Sequence, residues 1–343
     1  MITKEDIMEI GRKMGVFKTV DVVSRTGVSR QFASFFLKRL VDEGVLIKFG
    51  STRNSSYCTN EYVKNHANEL VHRIKKTYDN VGLEEHAVQE DIERVIPFGV
   101  RVRENIKSIF DYAFSEMCNN AIEHSQAKKI DVSVSLDNKM LSFVIQDSGI
   151  GVFRNVMKKR ELDSELYAAQ DLMKGKTTTM PQSHSGEGIF FTSKVGMRFE
   201  LDSYGHRLIV NNTDHTVVFE AVKHKIHGTK VVVSIAADSG LHLSDIFREF
   251  TNIGEDSDYG FDKTEIRVQL FTRGGVHVSR SQARRVLSGL EKFKVVVFDF
   301  ENVSMVGQAF ADEIFRVFHN KFPDIRLETE NMNEAVAFMV GRV

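Results

Sequence analysis

Apolar positions along the first sixty residues change period twice. Ile7, Ile10 and Met14 recur at helical spacing, and Val20, Val22 and Val23 start a second short segment that stops at Thr26-Gly27. Ser29 is then placed to cap a third helix, whose buried stripe would be Phe32, Phe35, Phe36, Leu37 and Leu40 and whose end is Gly44. A hairpin follows: strand 45–49, a polar turn through 50–55, and strand 56–59. From 61 to 80, Tyr62, Ala67, Leu70, Val71 and Ile74 in a stretch without Gly or Pro predict an amphipathic connector helix. Ile109, Phe110, Ala113, Met117 and Ile122 mark the core face of a further helix, and two alternating strands follow at 131–136 and 141–146. Beyond residue 240 the text alternates strand and helix: strands 266–271, 294–300 and 324–328, helices starting at Ser279, spanning 307–319, and closing over 333–340. The prediction is an α/β and α+β multidomain chain divided at 1–60, 61–80, 81–240 and 241–343.

The first block resembles the winged helix-turn-helix of bacterial regulators, in particular through Val28-Ser29-Arg30-Gln31 and the run from Leu37 to Leu46. Its third helix would carry Arg30, Gln31 and Ser34 on the open face, and the wing would offer Lys48 and Arg53 to phosphates, which points to duplex DNA as a partner. Lys4, Arg12, Lys13, Lys18, Arg25, Arg30, Lys38, Arg39, Lys48 and Arg53 here outnumber Glu5, Asp6, Glu9, Asp21, Asp42 and Glu43 by ten to six. Winged helices also serve as protein docking modules, and that alternative stays open.

Composition narrows the class. The 343 residues are 42% hydrophobic and 27% charged with 3 Pro and 23 Gly, an ordinary globular balance that excludes collagen-like and low-complexity chains. A net charge of −1 gives no global attraction to nucleic acid or anionic membrane, so any such binding needs a local patch. Cys58 and Cys118 are too few for a disulfide scaffold or a four-ligand zinc site, and a reducing cytoplasm is expected. The most apolar stretches, 231–237 and 295–298, fall far short of a spanning helix, and no secretory pattern opens the chain, so no membrane partner is expected.

The chemistry concentrates in the middle block. Glu116, Asn120 and His124, spaced by four, would stack along one helix face. The second alternating strand ends in Asp147-Ser148-Gly149-Ile150-Gly151. A polar, glycine-containing loop follows, with Lys174-Gly175-Lys176 at one end and Ser185-Gly186-Glu187-Gly188 running into a helix, an arrangement suited to polyphosphate. Gly228-Thr229 opens a last strand.

These four elements, in this order over about 101–237, resemble the GHKL ATP-binding family of gyrases, heat-shock chaperones, mismatch-repair ATPases and two-component or anti-sigma kinases. The resemblance implies an α/β-sandwich (Bergerat) domain that binds ATP with Mg²⁺. Asp147 would take the adenine amino group, Gly149 and Gly151 would permit close backbone approach, and Thr229 would support the pocket. Asn120 would hold Mg²⁺, Glu116 would orient or deprotonate the attacking water or hydroxyl, Gly186 and Gly188 would pack the lid on the triphosphate, and Lys174 or Lys176 would be its charge partner. The residue types suit these roles, since a carboxylate accepts from an amine and an amide oxygen suits a hard cation. Asn119 to His124 is most similar to the anti-sigma serine kinases, although the lid region is longer than in a minimal kinase.

The text Val296-Val297-Phe298-Asp299-Phe300-Glu301-Asn302-Val303, within 240–343, resembles STAS-like domains of anti-sigma antagonists. Their phosphorylated members open the following helix with serine, whereas this chain has Gly307-Gln308-Ala309. Three functions are compatible with these features: an ATP-controlled DNA-binding transcriptional switch with slow hydrolysis, a serine protein kinase acting on a partner, and an ATP-driven dimeric clamp in defence or repair. A protein partner through the STAS-like domain and a homodimer are both consistent with them.

Overall fold

The computed structural model describes residues 2–49, 55–66, 72–137, 139–176, 186–223, 225–251, 261–268, 276–277 and 279–343. The chain forms two units, Met1–Asp147 with Val232–Leu241, and Ser148–Val231 with His242–Val343.

The first unit begins with α1 (Lys4–Met14), β1 (Phe17–Lys18), α2 (Thr19–Thr26), α3 (Arg30–Asp42), β2 (Leu46–Phe49) and β3 (Ser56–Thr59). Thr3 and Asp6 form a capping box on α1, and the Phe32 amide donates to Ser29 Oγ at 3.2 Å, so Ser29 is the cap its position predicts. The strands pair antiparallel in the order β1-β3-β2, and Ile7, Ile10, Val22, Ala33, Leu37, Leu40, Leu46 and Tyr57 form the core beneath them. The predicted stripe of α3 needs correction. Ala33, Leu37 and Leu40 are the buried set, Phe36 is half-buried, and Phe32 and Phe35 are 42% and 66% exposed. At 100° per residue Phe35 lies 200° from Ala33, so one helix cannot bury both on a single side.

The connector helix predicted over 61–80 is not formed. A short α4 (Asn60–Asn65) is followed, after residues outside the described set, by the strand β4 (His72–Asp79). Its alternation has period two: His72 and Tyr78 are buried and Ile74 half-buried, while Arg73, Lys75 and Thr77 face outward. Charge on an edge strand also discourages unwanted pairing. Then come α5 (Glu85–Glu93), α6 (Phe98–Arg101) and α7 (Glu104–Asn119), which continues into a π-helical turn at Asn120–His124.

β5 (Lys129–Asp137) and β6 (Met140–Asp147) pair antiparallel in the order β4-β5-β6, with Ile74 opposite Val134 and Val134 opposite Phe143. Residues 232–236 add to this unit; there Ser142 Oγ donates to Ser234 Oγ at 3.2 Å. Helix α7 covers the apolar face, where Phe110 and Phe114 meet Phe143 edge-on at 5.7 and 5.5 Å.

The second unit opens with α8 (Val152–Lys159), α9 (Glu165–Lys174) and α10 (Gly188–Val195). The antiparallel meander β7 (Arg198–Ser203), β8 (His206–Asn211) and β9 (Thr216–Ala221) follows, and then β10 (Thr229–Ala236), along which the chain passes from this unit into the first. Phe190 and Phe191 of α10 pack with Phe250 and Phe261 and anchor α11 (Leu243–Phe250).

The remainder is the layered α/β element the pattern predicts. β11 (Lys263–Arg267), β13 (Val295–Asp299) and β15 (Arg326–Glu330) are parallel in the order β11-β13-β15, and the short β12 (Val276–His277) pairs with β14 (Met305–Val306). The predicted strand 266–271 is centred earlier, and 269–271 lie outside the described residues. α12 (Arg280–Leu287) starts with a Ser279–Gln282 capping box. The predicted helix 307–319 is α13 (Gln308–Ala311), a π segment Asp312–Phe318 and α14 (His319–Lys321); α15 (Glu334–Val340) closes the chain.

Candidate functional site

In the first unit, Glu116 and Asn120 lie one helical turn apart and both are half-buried. Asn120 is where α7 becomes π-helical, and His124 is the last residue of that π-helical turn. Asn80 secures this turn by donating through Nδ2 to the carbonyls of Ile122 at 3.0 Å and Ala127 at 2.9 Å. Asp147 is the last residue of β6, in phase with Leu141, Phe143 and Ile145, so alternation turns its carboxylate inward; it is 4% exposed. A buried carboxylate at a strand end fits an amine donor, and the half-buried Asn120 amide oxygen fits a hard cation, so both residues suit Mg-ATP.

In the second unit, the turn after Asp147 is tied down by residues distant in sequence. Tyr204 Oη donates to the Gly149 carbonyl at 2.7 Å, the Val152 amide donates to Thr229 Oγ1 at 3.0 Å, and Ser203 Oγ donates to the Gly228 carbonyl at 2.8 Å. Gly151 has φ +80°, and a Cβ there would lie 2.5 Å from the Tyr204 ring and 2.6 Å from Ser203 Oγ. Glycine at 151 is thus required by the β7–β8 hairpin as well as by its own left-handed backbone. Gly186 also has positive φ, at +77°, and Gly188 is the first residue of α10. Residues 177–185, which include His184 and Ser185, are outside the described set.

The two lysines expected at the triphosphate bond backbone carbonyls. Lys174 is 4% exposed, and its Nζ donates to the carbonyls of Ser288 at 2.7 Å and Arg285 at 3.0 Å. Burial pushes its pKa down to about 8, against the opposing pull of Asp171. Lys176 Nζ donates to the Lys292 carbonyl at 3.1 Å and sits over the Phe293 ring, 4.8 Å from its centroid. Glycine-rich surroundings point to phosphate contact; the partners seen include backbone carbonyls more than 100 residues further along the chain and, for Lys176, the Asp262 carboxylate at 3.8 Å.

Arg30, Gln31 and Ser34 are exposed along α3, and Lys38 and Phe35 are exposed with them. Lys48 is half-buried on β2, and Arg53 lies outside the described residues. Tyr204, Ser203 and Arg154 escaped sequence reasoning. The Tyr204-Gly205 pair between alternating strands signals a hairpin, but nothing local signals its contact with Gly149.

Residues 72–210 match the protein family described as Histidine kinase-like ATPase domain, starting at the first residue of β4. Residues 282–337 match the STAS-like domain of unknown function (DUF4325). The chain therefore carries a GHKL-type ATPase domain followed by a STAS-like domain. No curated protein matches it. Among the described residues, no helix is long and apolar enough to cross a membrane.

Proposed function

We propose that this chain is an ATP-binding regulator in which a winged helix contacts duplex DNA and the STAS-like domain responds to the nucleotide lid. The observation that carries the regulatory reading is the bonding of Lys174 to the Arg285 and Ser288 carbonyls. Lys174 ends α9, ahead of the segment expected to act as a lid, and its partners lie at the end of α12 in the STAS-like domain. A nucleotide-dependent change at the end of α9 then has a direct mechanical hold on that domain.

At the nucleotide, Asp147 would accept from the adenine amine, Asn120 would hold Mg²⁺ through its amide oxygen, and Glu116 would orient the attacking water. Mg²⁺, when bound, would neutralise phosphate charge. Lys174 and Lys176 are omitted from this set because their nitrogens already serve backbone carbonyls.

The order α1-β1-α2-α3-β2-β3, with the three-stranded antiparallel sheet, supports the winged-helix reading. Exposed Arg30, Gln31, Ser34 and Lys38 on α3 suit phosphates and base edges, and exposed Phe35 beside them suits the methyl group of thymine. Phe32 and Phe35 also favour a second reading, in which α3 docks a protein that a kinase activity then modifies.

Incubation of the full chain with γ-labelled ATP separates the two. The regulator reading expects label in free phosphate and none in protein, together with duplex binding that responds to ATP. Stoichiometric label in a second protein, with no DNA binding at low salt, establishes the kinase reading instead.

A further inference from the structure

The turn from β7 to β8 consists of Tyr204 and Gly205, since Ser203 pairs with His206. Both turn residues are left-handed, at φ +48° and +91°. Two-residue turns of this kind favour Asn-Gly, whereas a bulky aromatic at positive φ is strained. Strain of this sort persists where something else depends on the residue.

What the tyrosine provides is a set of contacts on the turn after Asp147. Its hydroxyl donates to the Gly149 carbonyl at 2.7 Å, and its ring occupies the space beside Gly151, 2.5 Å from where a Cβ would stand. The Arg154 guanidinium lies over that ring, 3.8 Å from its centroid, and its Nε also pairs with Glu165 Oε1 at 3.0 Å. Asparagine at 204 would relieve the backbone and lose every one of these contacts.

We infer that Tyr204 is a positioning residue of the nucleotide site: from the β7–β8 turn it holds Gly149-Ile150-Gly151 in one conformation, so that the backbone beside Asp147 is ordered before ATP binds. The inference rests on the ATP reading above. Its energetic content is preorganisation, because a turn that must be ordered on binding lowers affinity. Tyr204 touches the turn and need not touch the nucleotide.

The test is Mg-ATP titration of the full chain by calorimetry, alongside thermal unfolding, for Tyr204→Phe, Tyr204→Asn and Asp147→Asn. Tyr204→Phe keeps the ring and removes the hydroxyl; its Kd should rise about five-fold, the worth of one hydrogen bond. Tyr204→Asn should melt at or above the unaltered chain's temperature yet bind ATP more weakly still. In phosphate release, both should raise KM and leave kcat within about twofold, since neither touches the groups oriented on the attacking water. A purely structural tyrosine gives the opposite pattern: lower melting temperature, with ATP affinity of the folded protein unchanged. That result overturns the inference, as does unchanged affinity in both Tyr204 variants when Asp147→Asn has lost binding. If the unaltered chain shows no saturable Mg-ATP binding, the nucleotide reading falls and this one with it.

Discussion

Thr229 Oγ1 accepts a hydrogen bond from the Val152 amide at 3.0 Å across 77 positions of sequence. Val152 is the first residue of α8, and its amide is one of the donors that a helix start leaves without an internal partner. Gly151, the N-cap, has no side chain to satisfy it. The threonine thus caps α8 from β10 and, in doing so, fixes the far side of the glycine turn.

Thr229→Val keeps the shape and deletes the acceptor. It should lower stability by about 1 kcal/mol, as the loss of a cap does, and weaken Mg-ATP binding several-fold. Thr229→Ser should restore both. Urea unfolding with and without Mg-ATP measures the two effects on the same samples.

Asp147 and Glu116 should separate binding from turnover. Asp147 is the group that would identify adenine, so Asp147→Asn should weaken ATP binding by about 2 kcal/mol, within the range for a charged hydrogen bond. Glu116→Ala should keep most affinity and lose most phosphate release. Calorimetry and a phosphate-release assay decide; equal turnover would make Glu116 an ordinary helix-surface carboxylate.

Elements whose partners are near in sequence were legible. Ser29 reads as a cap and is one, and β5 and β6 alternate cleanly because each has one buried face. The inward carboxylate of Asp147 follows from the same alternation. β4 was obscured because only His72, Ile74 and Tyr78 turn toward the core, and β5 lies about fifty residues further on. Phe32 and Phe35 misled in the other direction: α3 has more apolar residues than one face can bury. Lys174 could not have been assigned locally, since its burial depends on carbonyls 111 and 114 positions away.

His72 should make stability depend on pH. Its ring is fully buried, neither nitrogen has a hydrogen-bond partner among the described residues, and Phe49 meets it edge-on at 5.2 Å. Burial, assisted by the nearby Arg101 charge, pushes its pKa down from 6.5 to about 4. The folded state therefore favours neutral imidazole, and this contribution is fully present above pH 6.5 and lost as pH falls toward 4. At pH 5 the loss should be about 2 kcal/mol. Urea midpoints at pH 7 and pH 5 should converge in His72→Phe; an undiminished difference would assign the slope to other groups.

The α3 face should distinguish phosphate contact from base contact. At low salt the full chain should bind duplex DNA, with affinity falling steeply as salt rises. Arg30→Ala and Lys48→Ala should weaken binding across sequences, and each lost phosphate contact should flatten the salt slope by about one. Phe35→Ala should instead erase a preference for thymine in sites selected by the unaltered chain. Replacing thymine with uracil in those sites should cost the unaltered protein several-fold and the Phe35→Ala variant nothing. Absence of any binding at low salt would leave α3 as a protein-docking face.

The link to the STAS-like domain should be conformational, and the residues at its helix start say why. A built-in substrate needs a hydroxyl where α13 begins, yet that text is Gly307-Gln308-Ala309, and Ala309 cannot receive a phosphoryl group. The physical connection lies instead at the end of α9, where Thr264 Oγ1 donates to the Lys174 carbonyl at 2.6 Å and Lys174 Nζ holds the Arg285 and Ser288 carbonyls. Nucleotide can shift this domain only as far as its affinity differs between the domain's two states. Mg-ATP should therefore change hydrogen-exchange protection over 280–292 without placing phosphate on the C-terminal domain. Lys174→Met keeps the bulk of the side chain but leaves the two carbonyls without their donor, at a cost on the order of 2 kcal/mol. In that variant the nucleotide should still bind, while the exchange response over 280–292 should shrink or vanish. Quantitative phosphate on Ser304 or a neighbouring hydroxyl, found by mass spectrometry after incubation with ATP, would replace this coupling with a self-contained kinase and substrate.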